Sequence, residues 1–281
     1  MRLKMSSLAE QHEAGWYARL QLGFQRRPGR TVLAERTRQG PLAVQRSFYP
    51  EGDLCHVYLL HPPGGVAGGD QLNINIHVAE QAAALITTPG ATKFYRSVGP
   101  MARQQQQITV EGGCLEWLPQ ENIIFPGARA ELATRVDLHG DARFIGWEIN
   151  CLGRPVVDEQ FNHGSASFAC HLFRDGLPLL HERQLIDTEQ ALAAAAGLRN
   201  QPVLGTLYAT LAERSLLEKL RATIPLRDQH AIGLTLVDDL FIARYLGDST
   251  ETARRLFIEI WKILRPVVVN RPPSEPRIWN T

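Results

Sequence analysis

Apolar residues recur at every second position through most of the chain. Trp16, Ala18, Leu20, Leu22 and Phe24 alternate with Tyr17, Arg19 and Gln21, which is the period of a half-buried strand. Arg26-Arg27-Pro28-Gly29-Arg30 then supplies turn chemistry and a second strand opens over residues 31–38, so the two read as a hairpin. Strand-like patterning returns over residues 55–60, 72–78, 83–87, 105–110 and 114–118, then over 132–138, 143–149, 166–173 and 179–186. Turn signals separate these segments, among them Thr88-Pro89-Gly90, Val98-Gly99-Pro100, Glu111-Gly112-Gly113, Phe125-Pro126-Gly127 and Gly153-Arg154-Pro155. Many short strands punctuated by Gly and Pro indicate a mainly β fold, whether sandwich, barrel or irregular solenoid. No repeat of fixed length stands out.

The pattern changes after about residue 188. Residues 189–198 are Ala-rich but marginally long for a helix, and 203–210 read as a strand. Over 212–222, Leu216, Leu217 and Leu220 fall at helical spacing. Residues 231–237 and 240–245 form a hairpin around Asp238-Asp239. Ser249 is a candidate N-cap, and Leu256, Ile260, Ile263 and Leu264 make one apolar stripe that Arg265-Pro266 is read as ending. The expected organisation is a loose polar leader (1–15), a long irregular β-sandwich or β-solenoid-like body (16–187) and a C-terminal α+β portion with about two helices (188–281). The last is expected to pack on the body as one structural unit.

Composition narrows the function. A chain of 281 residues with net charge +1 and 44% hydrophobic residues is an ordinary globular protein. No run approaches the ~18 apolar residues of a membrane span, and residues 1–11 carry charges without an apolar core, so neither membrane nor secretion is expected. Cys55, Cys114, Cys151 and Cys170 stand singly with no CxxC, as buried cysteines of a cytoplasmic protein do. Seven arginines and one acidic residue, Glu35, lie between Arg19 and Arg46. No aromatics interleave them as a nucleic-acid stacking platform requires, so this reads as a solvated or protein-docking surface.

Two dense stretches hold the candidate chemistry. His61-Pro62-Pro63-Gly64-Gly65-Val66-Ala67-Gly68-Gly69-Asp70 packs two prolines, four glycines and a carboxylate between two apolar strands. It is neither a P-loop, because Asp70 stands where Lys belongs, nor a GxGxxG fingerprint. A carboxylate closing a glycine loop repels phosphate and attracts cations. The second stretch runs into a Pro-Gly turn and then presents Thr92, Lys93, Tyr95, Arg96 and Ser97, a set suited to an anion or a partner surface. No SxxK, GxSxG or credible Ser-His-Asp set is present, and the nine histidines never pair as HxH or HExxH. No enzyme activity is expected.

Those two stretches resemble the urease accessory protein UreD family, called UreH in some species. So do Glu116-Trp117-Leu118-Pro119-Gln120, Phe125-Pro126-Gly127-Ala128, Cys151-Leu152-Gly153-Arg154-Pro155 and Arg277-Ile278-Trp279. The blocks run in order over nearly the whole chain. The resemblance implies a non-catalytic, β-rich maturation scaffold. It implies action with UreF and the GTPase UreG on apo-urease, with UreE as nickel supplier, and an internal passage through which Ni²⁺ travels. It implies no tightly bound cofactor.

A conduit must bind its ion well enough to admit it and weakly enough to release it, which favours oxygen ligands over thiolate or imidazole clusters. Candidate transit residues are Asp70, Thr92 and Glu182, the last beside His181 in strand 177–186. Each has a structural alternative: Asp70 capping a turn, Thr92 a surface hydroxyl, Glu182 pairing with Arg183 or another surface cation. Lys93, Tyr95 and Arg96, with Ile278 and Trp279 of the tail, are candidate partner contacts, the tail for UreF. Two rival functions stand beside this one: a generic β-rich interaction scaffold without a metal role, and an enzyme with an anion site at Lys93 and Arg96.

Overall fold

A computed structural model describes residues 15–187, 189–224 and 231–280. The leader expected over residues 1–15 lies outside these but for Gly15. Chain order begins β1 (Tyr17–Arg27), β2 (Arg30–Gln39), β3 (Ala43–Val44), β4 (Cys55–Leu60), β5 (Gln71–Val78) and β6 (Ala83–Thr87). It continues with β7 (Thr92–Phe94), β8 (Ala102–Glu111), β9 (Cys114–Leu118), β10 (Asn122–Ile124), β11 (Arg129–His139) and β12 (Arg143–Arg154). After β13 (Glu159–Gln160), β14 (Ser165–Arg174) and β15 (Leu177–Ile186) come α1 (Glu189–Ala193), β16 (Val203–Ala209) and α2 (Arg214–Thr223). The chain closes with β17 (Ala231–Val237), β18 (Leu240–Gly247) and α3 (Thr250–Val268).

The strands form two facing sheets. One has the order β15-β14-β11-β8-β5-β1-β2, and the main path of the other runs β17-β18-β16-β12-β9-β6-β4-β3. From β5 to β14 the longer strands (β5, β6, β8, β9, β11, β12 and β14) go alternately to the two sheets, and each pairs in parallel with its counterpart one coil earlier. The body is therefore mainly β and coiled, as expected. Ile74, Gln106, Thr134 and Cys170 are register equivalents on successive coils, yet the chain lengths between them differ, which is why no repeat shows in the sequence.

The strand periods hold where they are long. Ala18, Leu20, Leu22 and Phe24 are fully buried, whereas Trp16, one step before the strand, is exposed. The short strands β3, β7, β10 and β13 have two or three residues each and carry no period to read. The glycine stretch is a coil-to-coil crossing. Its Val66 bonds through the backbone to Lys93 and Tyr95 of the next coil. A Cβ on Gly65 would lie 2.2 Å from the Tyr95 ring and one on Gly68 2.2 Å from Ser97 Oγ. Glycine is needed there because stacked loops touch.

The C-terminal strands β16, β18 and β17 continue the second sheet by pairing onto β12. Over its outer face lies α3, which buries Ala253, Leu256, Phe257, Ile260, Trp261 and Leu264. Ser249 caps it as expected, accepting from the Thr252 N–H at 3.2 Å. The helix does not end at Arg265-Pro266 but runs to Val268. A proline this close to the C-terminus removes only one late helical bond, and Arg265 anchors the turn. Arg265 is fully buried and donates to both oxygens of buried Glu116 (2.9 and 3.1 Å) and of Glu51 (2.7 and 2.8 Å). Trp261 Nε1 donates to Glu116 at 2.7 Å, and His56 Nε2 lies 2.9 Å from Glu51. Burial alone would raise the Glu51 carboxyl, but hydrogen bonds from His56 and Arg265 prevail and hold it at about 2.

Removing one member of such a network strands the opposite charges in the interior. Arg265→Ala is expected to cost about 3–5 kcal/mol in a denaturant titration, and Arg265→Met with Glu116→Leu to recover part of that loss.

Candidate functional site

The core between the sheets is apolar at both ends and polar in the middle. Parallel pairing puts equivalent residues side by side, so one inward row of the first sheet reads Leu20, Ile74, Gln106, Thr134 and Cys170, and the antiparallel β14–β15 pair adds Glu182 to it. On the facing sheet, β12, β16 and β18 contribute Glu148, Thr206 and Arg244 in register. One step along, Thr92, Asn122 and Asn150 lie side by side on β7, β10 and β12. A sandwich interior ordinarily holds Val, Ile and Leu at such positions. Here hydroxyls, amides and carboxylates replace them.

These groups line two small cavities of about 30 Å³ each, room for one or two water-sized occupants. Thr88, Thr92, Gln104, Gln106, Asn122 and Thr134 border the first. Asn150, Cys170, Glu182, Gln184, Thr206 and Tyr208 border the second. Glu148 borders both and is the junction of one polar seam running from Thr92 to Glu182. A wider concavity, about 630 Å³, lies elsewhere and has Asp158 as the single ionisable residue among its described lining.

The Thr134 hydroxyl lies within hydrogen-bond distance of Gln106 Oε1 (2.9 Å) and of Glu148 Oε1. It has one proton for two acceptors, so the second proton comes from a Glu148 carboxyl or from Gln106 turned to present its amide N–H. Burial pushes Glu148 up to about 7 and Glu182 pushes in the same direction, while the Thr134 contact works against them. A protonated Glu148 supplies the missing donor. Glu182, at the other end, accepts from Tyr208 OH at 2.9 Å and from Arg244 Nε at 3.0 Å. Burial drives the Cys170 thiol and the Tyr208 hydroxyl well above their usual range, and Glu148 and Glu182 add to both. The seam thus offers oxygen ligands and no thiolate.

Two sequence candidates, Thr92 and Glu182, fall at opposite ends of this seam. Glu182 pairs with Arg244 and not with Arg183, and its neighbour His181 stacks on His171 at 4.0 Å between ring centroids. Asp70 borders neither cavity. Its Oδ1 accepts from the Trp16 N–H and its Oδ2 from the Ala67 N–H, each at 2.8 Å, closing the glycine loop. Lys93, Tyr95 and Arg96 are exposed beside that loop, with Tyr95 edge-on to Phe125. Trp279 is buried: it donates to Thr87 Oγ1 at 2.9 Å and packs between Trp147 and Trp261, while Ile278 packs against the same cluster. Trp279 is core and not a presented surface, because the Trp147 and Trp261 rings close over it.

Glu148, Thr134, Gln104, Gln106, Asn122 and Asn150 escaped the sequence reading. Parity carried a signal, since Gln104 and Gln106 share the phase of Ala102, Ile108 and Val110, all inward. Among the described residues, no group of three or more His, Cys, Asp or Glu side chains is arranged to hold a metal ion. No helix there is long and apolar enough to cross a membrane.

Comparisons with known proteins agree with the sequence blocks. The family model described as UreD urease accessory protein matches residues 17–280. The urease accessory protein UreD of Alcanivorax borkumensis is 49% identical over 284 residues, covering 99% of this chain and 97% of the relative. That of Aliivibrio fischeri strain MJ11 is 49% identical over 279 residues (95% and 97%) and that of Enterobacter sp. strain 638 is 46% identical over 275 (97% and 98%).

The Glu148 carboxyl fixes a pH dependence. Near pH 4.5, its ordinary value, the unfolded chain is half protonated and the folded chain almost wholly so, and little is at stake. As pH rises toward 7 the unfolded chain loses the proton first, so Glu148 costs progressively more stability. Glu148→Gln is expected to raise the unfolding free energy at about pH 8 by up to about 3 kcal/mol, and hardly at all near pH 4.5. Asp70→Ala, which orphans two backbone donors, is expected to cost about 1–3 kcal/mol in the same titration, with Asp70→Asn recovering about half.

Proposed function

Since the chain belongs to the UreD family of urease accessory proteins and so serves urease maturation, we propose that it is the nickel conduit of that process. Ni²⁺ passes between the sheets along the seam from Thr92 to Glu182, with Glu148 as the central relay. The observation that supports this most is the polar seam itself, a row of oxygen-bearing side chains at positions that are ordinarily apolar in a sandwich. A structural core would be apolar there; a compartment for a hydrated or partly stripped cation needs oxygen atoms at short intervals.

The ligand chemistry suits transit. Amide, hydroxyl and carboxylate oxygens hold Ni²⁺ more weakly than imidazole or thiolate, so the ion can move on. The one sulfur in the second cavity, Cys170, is kept as a thiol by burial and by the two nearby carboxylates. With its carboxyl at about 7, Glu148 is protonated in about half of the molecules at neutral pH. The empty seam therefore carries little standing charge, and Glu148 exchanges a proton for the arriving cation.

In this reading the protein is a non-catalytic scaffold without a tightly bound cofactor. It docks on apo-urease with UreF and the GTPase UreG and receives metal that originates from UreE. Exposed Lys93, Tyr95 and Arg96 stand beside the Thr92 end of the seam and are assigned to partner contact. Asp70 holds the crossing loop in shape. The four free cysteines suit a cytoplasmic home.

The test is maturation of urease co-expressed with the accessory proteins and either wild-type protein or Glu148→Gln. The variant is expected to fold, to co-purify UreF and UreG, and to leave urease with about a tenth of its nickel, an effect of the size typical for a lost ligating partner. Urease filled to the wild-type nickel content by Glu148→Gln would remove the seam from the route.

A further inference from the structure

At the Glu182 end of the seam the chain places one of its own cations where the cargo would bind. Arg244 comes from β18 of one sheet, Glu182 from β15 of the other, and the Arg244 Nε–Glu182 Oε1 distance is 3.0 Å. Tyr208 takes the second Glu182 oxygen at 2.9 Å. Both carboxylate oxygens are thereby engaged, and a positive charge stands on the half-exposed carboxylate that borders the second cavity.

The two partners differ in how firmly they are held. Tyr208 is buried in the core, so its hydrogen bond is part of the cavity wall. The Arg244 side chain is 45% exposed and Glu182 is 21% exposed. No other ion pair to Arg244 is found among the described residues. Such a half-exposed pair exchanges with solvent readily and is easily displaced. Arg244 is also in register with Thr206 and Glu148, so its guanidinium reaches Glu182 from the strand row that carries the relay.

We infer that Arg244 is a latch on the seam: in the free protein it occupies Glu182 and excludes Ni²⁺ from that end, and it must swing into solvent for the ion to pass. The inference rests on the conduit reading for its purpose but not for its test. A latch of this kind keeps the isolated protein from filling with metal, and a competing carboxylate on a docked partner is the chemistry that would release it.

The test is Ni²⁺ binding to the full-length isolated chain by equilibrium dialysis, with Ni²⁺ alone as the probe. Arg244→Gln is expected to bind Ni²⁺ about five- to tenfold more tightly than wild type, the scale of a modest coupling between sites. Arg244→Lys, which keeps the charge, is expected to stay within about twofold of wild type. Adding Glu182→Gln to Arg244→Gln is expected to abolish the gain. A mere brace between the sheets would instead lower the melting temperature of Arg244→Gln and leave its nickel affinity unchanged. Unchanged or weaker binding by Arg244→Gln, or a gain that survives loss of Glu182, overturns the latch. These outcomes are independent of whether Glu148→Gln blocks urease loading, so the latch and the conduit can fail separately.

Discussion

Parallel pairing between successive coils obliges each inward side chain to sit beside its counterpart from the coil before. A polar residue at one level is therefore not isolated; the next coil must meet it with a compatible neighbour or leave it unpaired in the interior. Gln106, Thr134 and Cys170 obey that rule along one sheet, Glu182 joins them through the antiparallel β14–β15 pair, and Glu148 answers them from the other sheet. The seam is a direct product of the coil. The close crossings follow from the same constraint, because loops stacked at strand spacing leave no room for a Cβ at Gly65 or Gly68.

The helical layer does a different job. The second sheet would expose Trp147, Ile149, Leu207 and Phe241 on its outer face without α3 and the tail. Glu116 and Glu51 hold that layer through Arg265, and Trp279 completes it from the end of the described chain. Charge is thus used twice in the interior, with opposite outcomes. Around Arg265 one guanidinium bonds both oxygens of each carboxylate, and the cluster is fixed. Around Glu148 no cation compensates the carboxyl, and a site with spare acceptor capacity is what a passing cation requires.

Much of the architecture was legible in the sequence because long strands carry their own period. Leu20, Leu22 and Phe24, or Ile74, Ile76 and Val78, declare a face without help. The Ser249 cap and the Leu256–Ile260–Leu264 stripe did the same for α3. Unequal coil lengths hid the repeat, though not the β-rich, solenoid-like character of the body, and a proline misplaced the helix end because Arg265, held by residues far away in sequence, outweighs the lost bond. Thr92 and Glu182 were reachable as oxygen-bearing residues near apolar runs. Glu148 was not singled out, because a lone acidic residue in a strand reads as surface until the facing sheet is known. Asp70 was conspicuous for its loop, and the structure gives that loop two backbone reasons to keep it.

The central claim is that the seam between the sheets admits nickel. Crystals of the protein with its accessory partners, exposed to Ni²⁺ and measured at the nickel absorption edge, test it directly. The account requires anomalous density between the sheets, within coordinating distance of Glu148 or Glu182. Density confined to surface histidines, with the seam holding only water at nickel concentrations that support urease maturation, would contradict it.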